Sequence, residues 1–167
     1  MISSDVIEQA WDFSAKELQW NKIPHFTQEE FNGKIETYSG SIILSLSEYR
    51  EVLKKRIVIS PANWGKHSKK SWHYQIENRN KYVQAIDIFP RTDLAYAWLT
   101  AIKTGLFKGI GVYPYWSYSV KRLVGGLHLD TRKSDHIAMW WCDKNKKYHY
   151  FTTWKQVHSL FMLLLEH

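Results

Sequence analysis

Four side chains stand where they could do chemistry together: His73, Asp87, His128 and Asp130. His128 and Asp130 are two residues apart in Gly125-Gly126-Leu127-His128-Leu129-Asp130, so the alternation of a strand puts both on one face. Asp87 interrupts the apolar run Ala85-Ile86-Asp87-Ile88-Phe89. A carboxylate in such a strand is costly unless it is paired or binds a metal. His73 lies in Ser71-Trp72-His73, where a polar loop meets that strand. Two imidazoles and one carboxylate form a ligand set for catalytic zinc, with the fourth position left to water. Asp130, two residues beyond His128, could then accept the proton of that water. The same residues also read as core histidines satisfied by neighbouring carboxylates, and spacing alone leaves both readings open.

The elements that must hold these residues follow from periodicity. Residues 5–20 read as an amphipathic helix through Val6, Ile7, Ala10, Trp11 and Leu18. Thr27 and Glu30 form a capping-box pattern that opens a short helix through Phe31. Ser45 to Lys55 reads as a helix with Leu46, Tyr49, Val52 and Leu53 on one face. A β-branched strand, Arg56 to Ser60, stops at Pro61, and a polar, basic and aromatic loop runs on to Arg79. Tyr82 to Phe89 is the next strand and Thr92 to Lys103 the next helix, with Gly105 and Gly109 bracketing the turn after it. Short strands follow at Ile110–Tyr113, Gly126–Thr131, Ile137–Trp141 and Tyr148–Phe151. A last helix spans Thr153 to Leu165, buried along Val157, Leu160, Phe161 and Leu164. The pattern predicts an α+β fold with a small antiparallel sheet flanked by helices.

A chain of 167 residues without repeats or linkers suits one domain. We divide it into an N-terminal helix (1–25), a motif-bearing core (26–141) and a C-terminal strand and helix (142–167). The single cysteine, Cys142, excludes an internal disulfide and a thiolate zinc cluster, so a metal site must come from histidines and carboxylates. It follows Trp140-Trp141 and reads as a buried, inert thiol. Aromatic residues make up 16%, enough to wall a groove as well as fill a core. The net charge of +7 favours polyanions, including nucleic acid and anionic wall polymers. No run approaches the length of a membrane span, and the first residues lack the pattern of a secretory signal.

With these pieces in order, the sequence resembles the D-Ala-D-Ala-carboxypeptidase and L,D-endopeptidase type of zinc peptidase, the hedgehog-like fold, including its phage endolysins. That family carries S-x-H-x-x-G-x-A-x-D, then a G-x-G-x-Y strand, then a third ligand in a strand of the form F-V-H-V-D. Here stand Ser71-x-His73, Ala85-x-Asp87, Gly109-Ile110-Gly111-Val112-Tyr113 and Leu127-His128-Leu129-Asp130-Thr131-Arg132. The resemblance covers residues 26–141. It implies zinc ligands His73, Asp87 and His128, with Asp130 as base or as partner of the third ligand. It also implies a peptidase acting on peptidoglycan stem peptides. Ser71, Asn63, Tyr113 and Tyr115 are the substrate-binding candidates. With no export signal read from the sequence, the expected setting is a phage endolysin or virion-borne lysin that reaches the wall after release.

The chain departs from the pattern in three places. His73 and Asp87 are fourteen residues apart, seven more than in the family motif, with the excess within 75–83 around Arg79. Gly125 stands where better-known members have a glutamate three residues before the third ligand, and Asn63 stands where they have the arginine of an S-G-x-R turn. Lys66, Lys69 and Lys70 are possible substitutes for that arginine; His67 and His136 are possible accessory donors. The missing groups motivate an alternative, a non-catalytic zinc-binding structural protein such as a virion component. A nucleic-acid binder is the third possibility, against which stand the absence of a recognised motif and the scatter of the positive charges.

Overall fold

The computed structural model describes residues 2–67, 69–74 and 81–165. The segment 75–80, which carries most of the excess residues of the loop, and His167 lie outside them. Four α-helices are present among the described residues: α1 (Ser4–Gln9), α2 (Gly40–Leu53), α3 (Leu94–Thr104) and α4 (Trp154–Leu165). Six strands accompany them: β1 (Ile57–Ile59), β2 (Ala85–Pro90), β3 (Gly109–Tyr118), β4 (Leu123–Asp130), β5 (Ala138–Cys142) and β6 (Tyr148–Tyr150). They form one sheet in the order β1-β2-β4-β3-β5-β6. The architecture is therefore α+β, as the sequence predicts.

The sheet is mixed rather than antiparallel. Every pairing is antiparallel except that of β3 with β5, which runs parallel with Gly111 opposite Trp140. The cause is topological. β2 already occupies the free edge of β4, so the strand after β4 crosses to the open side of β3 and arrives pointing the same way.

The N-terminal helix is shorter than its apolar spacing suggests. α1 stops at Gln9 and gives way to 3₁₀ turns at Ala10–Asp12, Ala15–Glu17 and Trp20–Lys22. Tertiary hydrogen bonds outcompete the helix here: the Ala15 amide donates to the Tyr38 carbonyl (2.8 Å) and the Gly40 amide to the Phe13 carbonyl (2.9 Å). Ser14 then caps a new turn, its own amide donating to the Glu17 carboxylate at 3.1 Å. The capping box at Thr27 also forms, with the Thr27 amide donating to Glu30 at 3.0 Å, though the turn it opens (Gln28–Phe31) is 3₁₀.

α2 begins at Gly40, five residues before the apolar pattern suggests, and is buried almost all round. Its serines hid this, because they carry polar hydroxyls into the interior, where Ser41 and Ser47 find partners and the buried Ser45 Oγ has none among the described residues. Ser41 bonds Gln84 and Thr131, and Ser47 donates to the Pro24 carbonyl at 2.8 Å. Gly40 permits the close approach: a Cβ there would meet the Cβ and carbonyl oxygen of Ala10 at 3.0 Å. The helices cover one face of the sheet, burying Ile86, Ile88, Ile110, Val112, Leu127 and Leu129 with Leu46, Tyr49, Trp98 and Phe107. By alternation, the residues between those strand positions, Asp87, His128, Asp130, Gly109 and Gly111, face the other way, under the 61–74 loop.

Candidate metal centre

A single row of paired residues crosses that second face. Asp87 on β2 lies opposite His128 on β4, His128 opposite Gly111 on β3, Gly111 opposite Trp140 on β5, and Trp140 opposite Tyr150 on β6. The neighbouring row holds Ala85, Asp130, Gly109 and Ala138. The two glycines are explained by what lies over them. A Cβ on Gly109 would come within 2.5 Å of Asp130 Oδ1, and one on Gly111 within 2.5 Å of Trp140 Nε1. The G-x-G spacing thus makes room for a carboxylate and an indole, not for backbone flexibility.

His73 reaches this row from the loop. Its amide donates to the Ser71 hydroxyl at 3.2 Å, a local turn that aims the imidazole downward, and Trp72 is tied to the sheet where its carbonyl accepts from Gln84 at 3.2 Å. His67 stacks on His73 with centroids 4.3 Å apart and planes 13° apart. The His67 Nε2 lies 3.0 Å from the Ala62 carbonyl, which marks that nitrogen as the protonated donor.

Three ligand atoms converge. His73 Nε2 is 3.1 Å from His128 Nδ1 and 3.2 Å from Asp87 Oδ1, and His128 Nδ1 is 3.0 Å from Asp87 Oδ1. All three side chains are buried, and among the described residues they form the one group of this kind able to hold a metal ion. A tetrahedral ion with bonds of about 2.0–2.1 Å spaces its ligands about 3.3–3.4 Å apart. The triangle is within a few tenths of an ångström of that face, so the residues present fit a metal ion.

Asp130 is completely buried and does not line the cleft above this triangle. Expected as the acceptor of a water proton, it sits instead behind His128, with Oδ2 3.0 Å from His128 Nε2. Arg132 grips both of its oxygens, Nε donating to Oδ1 at 2.7 Å and Nη2 to Oδ2. The carboxylate therefore fixes the tautomer of His128, holding the proton on Nε2 and freeing the Nδ1 lone pair for a metal.

Asn63 is a second departure from expectation. It is buried and its amide is spent on the main chain: Nδ2 donates to the carbonyls of Ser60 and Asp87 at 2.8 Å each, and Oδ1 accepts from the Asp87 amide at 2.7 Å. It holds the Asp87 backbone and is not among the residues that line the cleft above the triangle. Tyr115 is exposed and lies outside the cleft, as does His136. Cys142 is half-buried at the end of β5 rather than fully enclosed.

The electrostatics are those of a compact charge cluster. Burial alone would push Asp87 up, but His73 and His128 outweigh it and hold the carboxyl well below its usual range. Burial pulls His128 down, yet its hydrogen bonds to Asp130 and Asp87 outweigh that and raise it to about 9. His73 goes the other way, because burial exceeds the pull of Asp87 and favours the neutral ring. Asp130, buried but bonded to Arg132 and His128, is held ionised. The raised His128 favours an imidazolium between two carboxylates, and a metal at Nδ1 would take the place of a proton.

A cleft of about 630 Å³ opens above the triangle. Ser71 and Tyr113, two of the substrate-binding candidates, line it, Tyr113 accepting from Trp140 Nε1 at 3.3 Å. So do Trp72, Trp116, Trp140, Tyr148 and Tyr150, with Lys66, Lys70, His67 and Arg132. Trp140 and Arg132 were not singled out from the sequence. The signal available for Arg132 was its position two residues after Asp130, on the same side of an extended chain. Asp87 is the one acidic residue among the described residues that line it. The sequence matches no protein-family model, and neither a curated protein nor a solved structure matches it.

Proposed function

We propose that the protein is a zinc-dependent peptidase acting on cell-wall stem peptides, with His73, Asp87 and His128 holding the ion. The observation that carries the reading is the 3.0–3.2 Å triangle of two imidazole nitrogens and a carboxylate oxygen at the floor of an aromatic cleft. Two histidines and one carboxylate suit zinc and leave a position open to the cleft. Zinc, when bound, would polarise a peptide carbonyl and acidify water. Asp130 and Arg132 keep His128 in the required tautomer, and Asn63 and Ser60 anchor the Asp87 backbone. Asp130 cannot take a proton from the cleft without losing those partners. His67, which lines the cleft and is not among the three ligands, is the side chain placed to move a proton there. The aromatic walls exclude water from the floor and supply broad surfaces for a peptide.

A second reading is favoured by one specific observation: among the described residues Asp87 is the one carboxylate that lines the cleft, so none of them stands in for the glutamate of the better-known members. On that reading the protein binds zinc without turnover, as a structural or binding component. Incubating the zinc-loaded protein with isolated peptidoglycan sacculi, beside an Asp87→Ala control, separates the two. Peptidase action releases defined stem fragments with new free amines, seen by mass spectrometry and absent in the control. Stoichiometric zinc without release would leave the non-catalytic reading standing.

A further inference from the structure

We propose that the free edge of β1 is a second binding site, which takes a short acidic peptide in extended form as a seventh strand of the sheet. It is independent of the peptidase reading: the cavity along this edge shares no lining residue with the cleft above the triangle. β1 ends the strand order, with β2 as its neighbour. The Arg91 amide donates to the Arg56 carbonyl at 2.8 Å and the Ser60 amide to the Asp87 carbonyl at 2.9 Å. Bonded and unbonded positions alternate along an antiparallel pair, so the amides and carbonyls of Ile57 and Ile59 point away from β2. Among the described residues they form no hydrogen bond. A cavity of about 350 Å³ runs along them, lined by Ile57, Val58, Ile59, Pro61 and Tyr118 among others. Two residues that each present an outward N–H and C=O match an extended segment of about four residues, paired as in a sheet.

Charge then selects the peptide. Arg56 and Arg91 stand opposite each other at the end of this pair, a like-charge arrangement that destabilises a sheet unless a counter-charge lies near. Both are exposed and line the cavity, as does Lys121 from the turn between β3 and β4. Among the described residues no ion pair reaches any of the three. Glu30 is the one acidic residue among the described residues that line this cavity, and its carboxylate already accepts the Thr27 amide at 3.0 Å. Asp93, two residues beyond Arg91, is committed to capping α3, where it accepts the Tyr96 amide at 2.8 Å. The phosphates of a nucleic acid or polyphosphate would meet the cations but set acceptor oxygens against the outward carbonyls. A second copy of this chain is repelled. Pairing β1 with β1 sets the same cations face to face, and β6, at the other edge, follows Lys144, Lys146 and Lys147. An acidic extended peptide satisfies both the main chain and the charges.

The test is the affinity of the full chain for a capped heptapeptide of alternating aspartate and valine, read by fluorescence anisotropy of a dye-labelled probe at low salt. Two controls accompany it: the same peptide with lysine in place of aspartate, and a fully N-methylated acidic peptide, which keeps the charge and loses every main-chain donor. The acidic peptide is expected to bind at least about tenfold more tightly than the lysine peptide. N-methylation is expected to weaken it about tenfold or more, through the lost main-chain bonds. Arg56→Glu and Arg91→Glu should each weaken the acidic peptide about tenfold, Lys121→Glu about threefold, and Lys144→Glu at the opposite edge should leave it unchanged. Circular dichroism melting identifies any variant that fails to fold; the three peptides on the unaltered protein then still decide. No binding of the acidic peptide, or binding that both arginine variants leave intact, would overturn the proposal and leave the cations as guards of an exposed edge. An N-methylated peptide that binds as well as its parent, with polyphosphate displacing the probe, would identify a plain anion site and overturn the strand pairing.

Discussion

The floor and the rim of the cleft are built on opposite terms. On the floor and directly beneath it, Asp87, His128 and Asp130 are 5%, 6% and 0% exposed, occupy adjacent central strands, and are joined by hydrogen bonds to one another or to Arg132. At the rim, Tyr148 and Tyr150 are 52% and 65% exposed on the edge strand β6, and Lys66 and Lys70 lie on a loop. A buried charge cluster tolerates no loss of a partner, whereas an exposed ring loses only the contacts it makes. The floor fixes chemistry; the rim is where recognition can vary without cost to the fold.

The largest effect should come from breaking the floor at its carboxylate. Asp87→Ala is expected to abolish stoichiometric zinc binding and to destabilise the metal-free protein by about 3–5 kcal/mol, since it leaves two buried imidazoles without their shared partner. Elemental analysis after dialysis and urea unfolding read the two losses; retained zinc would show that the carboxylate is not a ligand. One layer behind, Asp130→Asn should weaken zinc about 10–100-fold while leaving it bound at saturation. Gly109→Ala should have a similar effect through geometry alone, because its Cβ would displace the Asp130 carboxylate. Competition with a chelator measures both, and unchanged affinity in Gly109→Ala would refute the positioning role of Asp130.

The floor should also be pH-sensitive where the rim is not. His128 is raised from an ordinary 6.5 to about 9 in the folded state, so the stability it contributes to the metal-free protein is full below about 6.5 and lost as pH rises towards 9. Metal binding displaces that proton, so the stabilisation given by zinc should grow over the same window. Thermal unfolding with and without zinc between pH 6.5 and 9 should diverge; parallel curves would place the proton elsewhere. At the rim, Tyr150→Ala should leave zinc content and melting temperature nearly unchanged and weaken peptide binding only about threefold to tenfold.

The same contrast governs how much was legible in the sequence. The two sheet residues of the triangle could be read because an aspartate in Ala85-Ile86-Asp87-Ile88-Phe89 and a strand-spaced His128 violate the apolar pattern around them. The direction of Asp130 could not be read: alternation puts it on the face of His128 but does not say that Arg132 turns its carboxylate away from the cleft. Nor could Asn63 be distinguished from a substrate donor, since its bonds are to the main chain of a strand twenty-four residues away. The parallel pairing of β3 with β5 and the early start of α2 were equally hidden. The first is decided by which edge is free, and the second by serines that carry polar hydroxyls into the interior.

X-ray absorption at the zinc edge of the loaded protein tests the central claim most directly. The account predicts one ion per chain with two imidazole nitrogens and carboxylate or water oxygens at about 2.0–2.2 Å, and no sulfur. A spectrum with fewer than two imidazoles, or with a sulfur scatterer, would contradict it.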